Sequence, residues 1–193
     1  MNRILLSIIC CLLSSYLTAQ TPNEQKIIQK MAAAASEIKT VQCDFTQTKH
    51  TKLLKKEQVS KGRMSCQLPD KLRWEYTSPR AASAPSPAPP RGSDRPRSLP
   101  SGRFRGGYGA TSLIMNCVTG KCLTDSSAFH VTAEEMPTKY VATLIPQRKE
   151  MKRMFTKLVL HFDTSQSTVT EVELHEKNGD RTIIELHDIR INE

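Results

Sequence analysis

The stretch that decides the fold runs from Lys61 to Pro79 and reads K-G-R-M-S-C-Q-L-P-D-K-L-R-W-E-Y-T-S-P. Two segments with alternating apolar and polar residues are separated here by the dipeptide Pro69-Asp70. Alternation with a period of two is typical of strands that bury one face and expose the other. Pro-Asp favours a turn, because proline presets φ and the aspartate side chain bonds back to the backbone. The stretch therefore predicts a β-hairpin. The residues on its buried face are Gly62, Met64, Cys66, Leu68, Leu72, Trp74 and Tyr76.

A helix followed by a strand is predicted ahead of this hairpin. Thr21 and Glu24 form a capping box, and Pro22 suits the first helical position. The apolar residues that follow at helical spacing are Ile27, Met31, Ala34 or Ala35, and Ile38. Alternation of Val41, Cys43 and Phe45 with polar residues then predicts the strand.

The C-terminal half is predicted to be an antiparallel β-meander that begins from Leu113. Alternating apolar residues indicate strands near residues 129–131, 140–144, 158–162, 172–174 and 181–191, with a short basic helix or turn at 147–155. Asn178-Gly179 is a strong two-residue hairpin turn. A change of phase in the last strand predicts a β-bulge near His187-Asp188. The fold class is therefore α+β, mainly β, with the sheet curved into a half-barrel or barrel.

Residues 1–20 are interpreted as a cleavable signal peptide. Arg3 supplies the positive charge, residues 4–17 form a short apolar run, and small residues follow near Ala19. The apolar run is shorter than the roughly 20 residues that span a bilayer. We therefore expect export to the periplasm, with a single domain at residues 21–193.

A Pro/Arg/Gly-rich segment at about residues 80–112 interrupts this domain. Seven of the eleven prolines lie between Pro79 and Pro100, and six arginines with one acidic residue lie between Arg80 and Arg105, which accounts for much of the net charge of +9. Such a composition does not bury enough apolar surface to order itself. The segment is predicted to be either disordered or translated out of frame, and resequencing the gene would distinguish these two origins.

The run R-F-R-G-G-Y-G within that segment raises an alternative function. Arginines interleaved with aromatic residues can neutralise phosphates and stack on bases. The run occurs once and is short, and the export signal argues against contact with nucleic acid. No nucleic-acid partner is expected.

Four cysteines lie beyond the predicted signal peptide, and they permit three disulfide pairings. Cys117 and Cys122 form a candidate disulfide that would close a small loop, and Cys43 and Cys66 could meet across neighbouring strands. Free buried thiols are the alternative. A zinc site is not expected at the cysteines, because no histidine lies beside them.

No catalytic constellation emerges from the remaining polar residues. The C-terminal strands carry His161, His175 and His187, with Asp163, Glu173 and Asp188 nearby. Alternate positions on a solvated sheet face are usually just polar, and no nucleophile or ligand spacing accompanies them. The sequence predicts no catalytic residue, no metal and no cofactor, so an enzyme is not expected.

Together these features resemble the LolA-like family of outer-membrane lipoprotein carriers. The resemblance rests on Phe45-Thr46-Gln47, then Gly62 leading to Pro69, and then Leu72-Arg73-Trp74-Glu75-Tyr76 with Pro79. It implies an incomplete, half-open antiparallel β-barrel packed on an N-terminal helix and short lid helices. It also implies a monomeric periplasmic chaperone whose hydrophobic cavity binds lipoprotein acyl chains. By this resemblance the cavity is lined or supported by Phe45, Met64, Leu72, Trp74 and Tyr76.

The resemblance further implies inner- and outer-membrane lipoprotein-sorting components as partners. Two alternatives remain open at this point. Trp74 and its neighbours could form a filled core instead of a cavity wall. The domain could also sense envelope lipid or lipoprotein without carrying it.

Overall fold

The structure, a computed structural model, describes residues 21–53, 57–69, 71–78, 110–165 and 167–193. Its helices are α1 (Pro22–Ser36), α2 (Ala110–Val118) and α3 (Lys149–Met154), with a 3₁₀ helix at Lys121–Thr124. The strands are β1 (Thr40–His50), β2 (Gln58–Gln67), β3 (Lys71–Ser78), β4 (Phe129–Glu135), β5 (Lys139–Pro146), β6 (Phe155–Asp163), β7 (Val169–Glu176) and β8 (Arg181–Ile191).

The eight strands form one antiparallel sheet in the order β3-β2-β1-β8-β7-β6-β5-β4. The chain therefore returns at β8 to pair with β1, while β3 and β4 are the two edges of the sheet. The predicted mainly-β fold and the unclosed antiparallel sheet are confirmed. The predicted hairpin is also confirmed: β2 pairs with β3 in a register that places Met64 opposite Trp74 and Cys66 opposite Leu72.

Helix α1 begins and packs as its sequence predicts. Thr21 Oγ1 accepts a hydrogen bond from the Glu24 N–H, and the Glu24 carboxylate accepts one from the Thr21 N–H, which completes the capping box. Ile27, Met31 and Ala35 form its buried stripe. Glu24 also accepts a hydrogen bond from the Ala133 N–H of β4, at 3.0 Å, so the cap ties the helix to an edge strand.

The prediction that β structure begins at Leu113 is wrong, because residues 110–118 form helix α2. Leu113, Met115, Cys117 and Val118 of this helix are buried. Six of the nine residues in the run A-T-S-L-I-M-N-C-V are apolar, and periodicity does not distinguish a buried helix from a buried strand over so few residues. Gly120 follows with φ +74, a conformation that favours glycine, and starts the 3₁₀ helix.

The helices pack on one face of the sheet, which we call the inner face. α1 contacts β4, α2 contacts β7, and both contact the 3₁₀ helix. Buried side chains of β1, β8, β7 and β6 also lie on the inner face, among them Phe45, Leu186, Val172 and Leu160. The core therefore lies between the helices and the sheet.

The predicted irregularity in β8 is confirmed. The register between β1 and β8 shifts between Gln42 and Asp44, opposite Arg190 and His187, and Asp188 has a positive φ of 51. Among the described residues, none of the helices is long and apolar enough to cross a membrane. The predicted signal peptide and most of the Pro/Arg/Gly-rich segment, residues 80–109, lie outside the described residues.

Candidate functional site: an aromatic cluster on the inner face

Three aromatic side chains of β1 and β3 meet on the inner face. The ring centroid of Phe45 lies 4.0 Å from that of Trp74. It lies 5.5 Å from the ring centroid of Tyr76, and these two rings meet edge to face. The rings of Trp74 and Tyr76 are 6.3 Å apart. Aromatic pairs at these separations stabilise a fold beyond the apolar area they bury. We refer to Phe45, Trp74 and Tyr76 as the aromatic cluster.

A glycine on β2 makes this arrangement possible. Gly62 lies between Phe45 on β1 and Tyr76 on β3 in the two strand registers. A Cβ atom at position 62 would lie 2.1 Å from the Glu75 carbonyl oxygen and 2.4 Å from Cζ of Phe45. The Phe45 ring therefore occupies the space that a side chain at position 62 would need. Gly62 is required for steric reasons, not for its φ.

The five residues predicted to line a cavity do not share one environment. Phe45, Met64 and Trp74 are buried, with Trp74 only 4% exposed. Leu72 is partly buried and packs against the core. Tyr76 is 44% exposed and donates a hydrogen bond from its hydroxyl to Gln47 Oε1 at 3.1 Å. The cluster thus extends from the core to solvent through Tyr76.

Trp74 buries a polar atom that has no partner among the described residues. Its indole Nε1 donor is inaccessible to solvent and makes no hydrogen bond within the part of the chain that the structure describes. Leaving a buried donor unpaired costs about 1–3 kcal/mol. Buried polar groups without a partner are uncommon, and strain, a functional role or a bound water or ion can account for them.

A cavity of about 900 Å³ lies at β1, β2, β3 and β8, and none of the three aromatic-cluster residues lines it. Charged side chains of the outer face contribute much of its lining, including Asp44, Arg63 and Arg73. Two ion pairs join these charges: Arg63 Nε lies 3.5 Å from Asp44 Oδ1, and Arg73 Nη2 lies 2.6 Å from Glu75 Oε1. This cavity is polar, and its character differs from that of the hydrophobic cavity expected from the sequence.

All four cysteines of the described residues are buried, free thiols. Cys43 is opposite Met64, and Cys66 is opposite Val41. The two cysteines therefore lie on the same face of neighbouring strands, two residues out of register with each other. Burial raises the pKa of Cys43 to about 12, with smaller contributions from Asp44 and Cys66. Burial also raises the pKa of Cys66, although nearby Lys121 opposes that shift.

Cys117 and Cys122 are neighbours in the structure. Burial raises the pKa of the Cys122 thiol well above its usual value, and a hydrogen bond with Cys117 raises it further. The candidate disulfide between these residues stays a prediction. Thiols that reagents cannot reach react slowly, so we expect the four buried cysteines to be unreactive while the protein is folded.

The structure separates the polar residues that the sequence grouped on the C-terminal strands. His161, Glu173 and His175 come together on the outer face of β6 and β7, and Glu171 joins them. Sequence reasoning missed Glu171, which precedes Glu173 by two and faces the same way as any i, i+2 pair on a strand does. His187 instead lies 3.1 Å from Thr46 Oγ1, and Asp163 accepts hydrogen bonds from Ser165 in a turn.

The family comparison matches part of the chain. Residues 36–83 match the family described as outer membrane lipoprotein carrier protein LolA. These residues contain β1, the hairpin, and every motif on which the resemblance rested. The LolA-like character predicted from the sequence is therefore confirmed for this part of the chain. No curated protein matches the chain.

Solved structures similar to this chain include two bacterial proteins of related description. The LolA superfamily protein from Nitrosomonas europaea is 12% identical over 86% of this chain and 94% of that chain, with a TM-score of 0.39. A putative outer membrane lipoprotein-sorting protein domain from Vibrio parahaemolyticus is 13% identical over 88% of this chain and 92% of that chain, with a TM-score of 0.41.

A third similar structure is the MucA/MucB complex of Pseudomonas aeruginosa. Its matching chain is 9% identical over 87% of this chain and 56% of that chain, with a TM-score of 0.38. At these identities and TM-scores the three structures add no argument to the family match.

Proposed function

We propose, taking residues 36–83 as LolA-like, that this protein is a periplasmic carrier of lipoproteins that binds their acyl chains on the inner face of its open sheet. The observation that carries the proposal is the aromatic cluster, which continues from a buried tryptophan to a half-exposed tyrosine. Acyl chains need a concave apolar surface, and an unclosed antiparallel sheet with alternating side chains supplies one.

The position of the helices supports this proposal. α1 and α2 contact β4 and β7, whereas the aromatic cluster lies on β1 and β3. A shift of these helices relative to the sheet would open the apolar interior without breaking the strand ladder. In this proposal the two helices act as the lid.

The unpaired indole donor of Trp74 supports a ligand with a polar end. Acyl chains reach a lipoprotein through ester and amide bonds, whose carbonyl oxygens accept hydrogen bonds. A carbonyl bound near Trp74 Nε1 would satisfy this donor. The required chemistry is binding and release, so no catalytic residue or cofactor takes part.

Export by a cleavable signal peptide, function as a monomer, and exchange with inner- and outer-membrane lipoprotein-sorting components complete the proposal. The partners follow from the role: a carrier must receive its cargo at one membrane and release it at another. The alternative is a domain that senses lipid or lipoprotein and does not transfer it.

Quenching of tryptophan fluorescence by a brominated fatty acid tests acyl-chain binding. Trp74 is the only tryptophan, so the signal reports on the proposed site directly. We expect saturable quenching by dibromostearate that unlabelled stearate reverses by competition. Leu72→Gln should weaken the quenching by dibromostearate, because this partly buried residue packs against the core. Val59→Gln, at a 49% exposed position on the same hairpin, should leave the quenching unchanged.

Absence of saturable quenching in folded protein would refute acyl-chain binding. A second assay separates the carrier from the sensor. Purified protein is incubated with inner-membrane vesicles that contain a labelled lipoprotein, and the label is then measured on outer-membrane vesicles. Acyl-chain binding without transfer would refute the carrier role and favour the sensor.

A further inference from the structure

The outer faces of β6 and β7 bring one imidazole and two carboxylates together. His161 is directly opposite Glu171 in the register of β6 and β7, and Glu173 lies two residues further along β7, opposite Val159. His161 Nε2 is 3.0 Å from Glu173 Oε1 and 3.4 Å from Glu171 Oε1. One ligand atom from each of these residues lies within 4.8 Å of the other two. We refer to His161, Glu171 and Glu173 as the histidine–glutamate cluster.

A second histidine borders this cluster. His175 Nε2 lies 3.0 Å from Glu173 Oε2, the carboxylate oxygen that does not face His161. Arg181, on the neighbouring strand β8, lies 3.9 Å from the same oxygen. Glu173 therefore has one oxygen for each of the two imidazoles.

The cluster is more sheltered than an ordinary surface group. The side chains of His161, Glu173 and Glu171 are 11%, 17% and 28% exposed, respectively. These side chains are therefore less hydrated than groups on the exposed surface.

The charges within the cluster favour an added cation. Two carboxylates face one imidazole, whose neutral form carries no charge to offset them. The Arg181 side chain is 43% exposed, and its Nη1 atom lies 3.9 Å from Glu173 Oε2, near the upper limit for an ion pair. An ion pair this long and this exposed adds little to stability. A divalent cation between the three ligand atoms would offset both negative charges.

His161 supplies a second, independent observation. Its Nδ1 atom is buried and has no hydrogen-bond partner among the residues that the structure describes, in a residue that is 9% exposed overall. In metal-free structural histidines the two ring nitrogens usually both find partners. Nε2, which faces both carboxylates, is the ring atom that donates a hydrogen bond in the metal-free protein, and a metal ion would replace that proton and convert the ring to its Nδ1–H form.

We propose that His161, Glu171 and Glu173 bind a divalent transition-metal ion, with Zn²⁺ as the best fit and His175 as the nearest further ligand. Zn²⁺ accepts imidazole nitrogen and carboxylate oxygen and is often held by three protein ligands with a fourth position open. At Zn–ligand distances of about 2.0–2.2 Å, tetrahedral ligand atoms lie about 3.3–3.6 Å apart. The two distances from His161 Nε2, 3.0 and 3.4 Å, are close to this spacing.

The proposal is tested by titrating the purified full-length protein with ZnCl₂ in a calorimeter. We expect saturable binding of one ion. Glu171→Gln and Glu173→Gln keep the side-chain shape and remove a charged ligand, so each should weaken binding about tenfold or more. Glu134→Gln, a matched change at an exposed position on β4, should leave binding unchanged.

Cobalt distinguishes this cluster from the four buried thiols, which could also attract a soft metal. Co²⁺ bound to nitrogen and oxygen shows visible d–d bands without the near-ultraviolet charge-transfer bands of a thiolate. Saturable Co²⁺ binding that gives d–d bands without thiolate charge-transfer bands, and that is lost in Glu173→Gln, supports the site. Thiolate bands, equal affinity in Glu173→Gln and the native protein, or no saturable binding would overturn it.

This test does not depend on the carrier role. The histidine–glutamate cluster lies on the outer face of β6 and β7, whereas the aromatic cluster lies on the inner face of β1 and β3. A protein that binds zinc without acyl chains, or acyl chains without zinc, would refute one proposal and leave the other standing.

Discussion

Replacing Gly62 with alanine is the sharpest test of how the inner face is built. The new Cβ would lie 2.1 Å from the Glu75 carbonyl oxygen and 2.4 and 2.6 Å from two atoms of the Phe45 ring. Non-bonded heavy atoms normally approach to about 3.5–4.0 Å. Both neighbours must therefore move if Gly62→Ala is to fold.

Neither neighbour can move freely. The Glu75 carbonyl belongs to β3, in the register where Glu75 pairs with Arg63, so its retreat would disturb the ladder at the hairpin. The Phe45 ring is held by Trp74 at 4.0 Å and is 1% exposed, so its rotation would disturb the aromatic cluster. Gly62→Ala is thus an overpacking change with two rigid obstacles.

The magnitude follows from two opposing effects. Overpacking a well-packed core costs typically about 1–3 kcal/mol, and two obstacles place this change at the upper end or above it. Loss of glycine entropy in the unfolded chain returns about 0.4–1 kcal/mol. We expect a net loss of about 2–3 kcal/mol in the free energy of unfolding, or a fall of about 4–12 °C in Tm for a domain of this size.

Guanidinium unfolding followed by Trp74 fluorescence and by far-ultraviolet circular dichroism measures this loss. Trp74 is buried beside Phe45, so its emission shifts when the cluster opens. Ser65→Ala is the matched control, because Ser65 is an exposed residue on the same strand and should change stability by less than about 0.5 kcal/mol. A Gly62→Ala protein within about 0.5 kcal/mol of the native one would refute the steric reasoning.

Three further outcomes follow from the same structure. Because the pKa of Cys43 is raised from 9.0 to about 12, its thiol deprotonates first in the unfolded state, so it should make stability fall by about 1.4 kcal/mol per pH unit between these values; Cys43→Ala should reduce the slope by that amount in denaturant titrations while the contributions of Cys66 and Cys122 remain, and an unchanged slope would contradict the shift. Trp74→Phe should cost less than about 1.5 kcal/mol, against about 3–5 kcal/mol for Trp74→Ala, because the indole donor has no partner to lose; equal losses in thermal melts would reveal a missed hydrogen bond. Refolding of the reduced, unfolded protein in a glutathione redox buffer, while both thiols are still accessible, should link Cys117 to Cys122 in the peptide mass map, and separate alkylation of both thiols in the refolded protein would argue against the disulfide.

The local elements were largely predictable because their signals are short-range. The capping box of Thr21 and Glu24, the alternation in the hairpin, and the change of phase near Asp188 each correspond to the observed element. Helix α2 was the failure, because a short apolar run next to a Pro/Gly-rich segment has no periodicity that separates helix from strand.

Site residues were predictable only as members of a face. Alternation placed Met64, Trp74 and Tyr76 on one side of the hairpin, and the family resemblance added Phe45. Neither the alternation nor the resemblance showed that Phe45 lies over Gly62, that Trp74 Nε1 lacks a partner among the described residues, or that Tyr76 reaches solvent. These features depend on packing distances across three strands.

The sequence by itself determined which residues are apolar, where strands and turns occur, and which residues within one strand share a face, because these properties repeat over two to four residues. Only the tertiary structure decided that β8 returns to pair with β1, and that His161 of β6 lies against Glu171 and Glu173 of β7. Strand order and register arise from contacts between residues distant in the chain, and no local pattern encodes which strand becomes the neighbour of which. The aromatic cluster and the histidine–glutamate cluster, one on each face of the sheet, both depend on that choice.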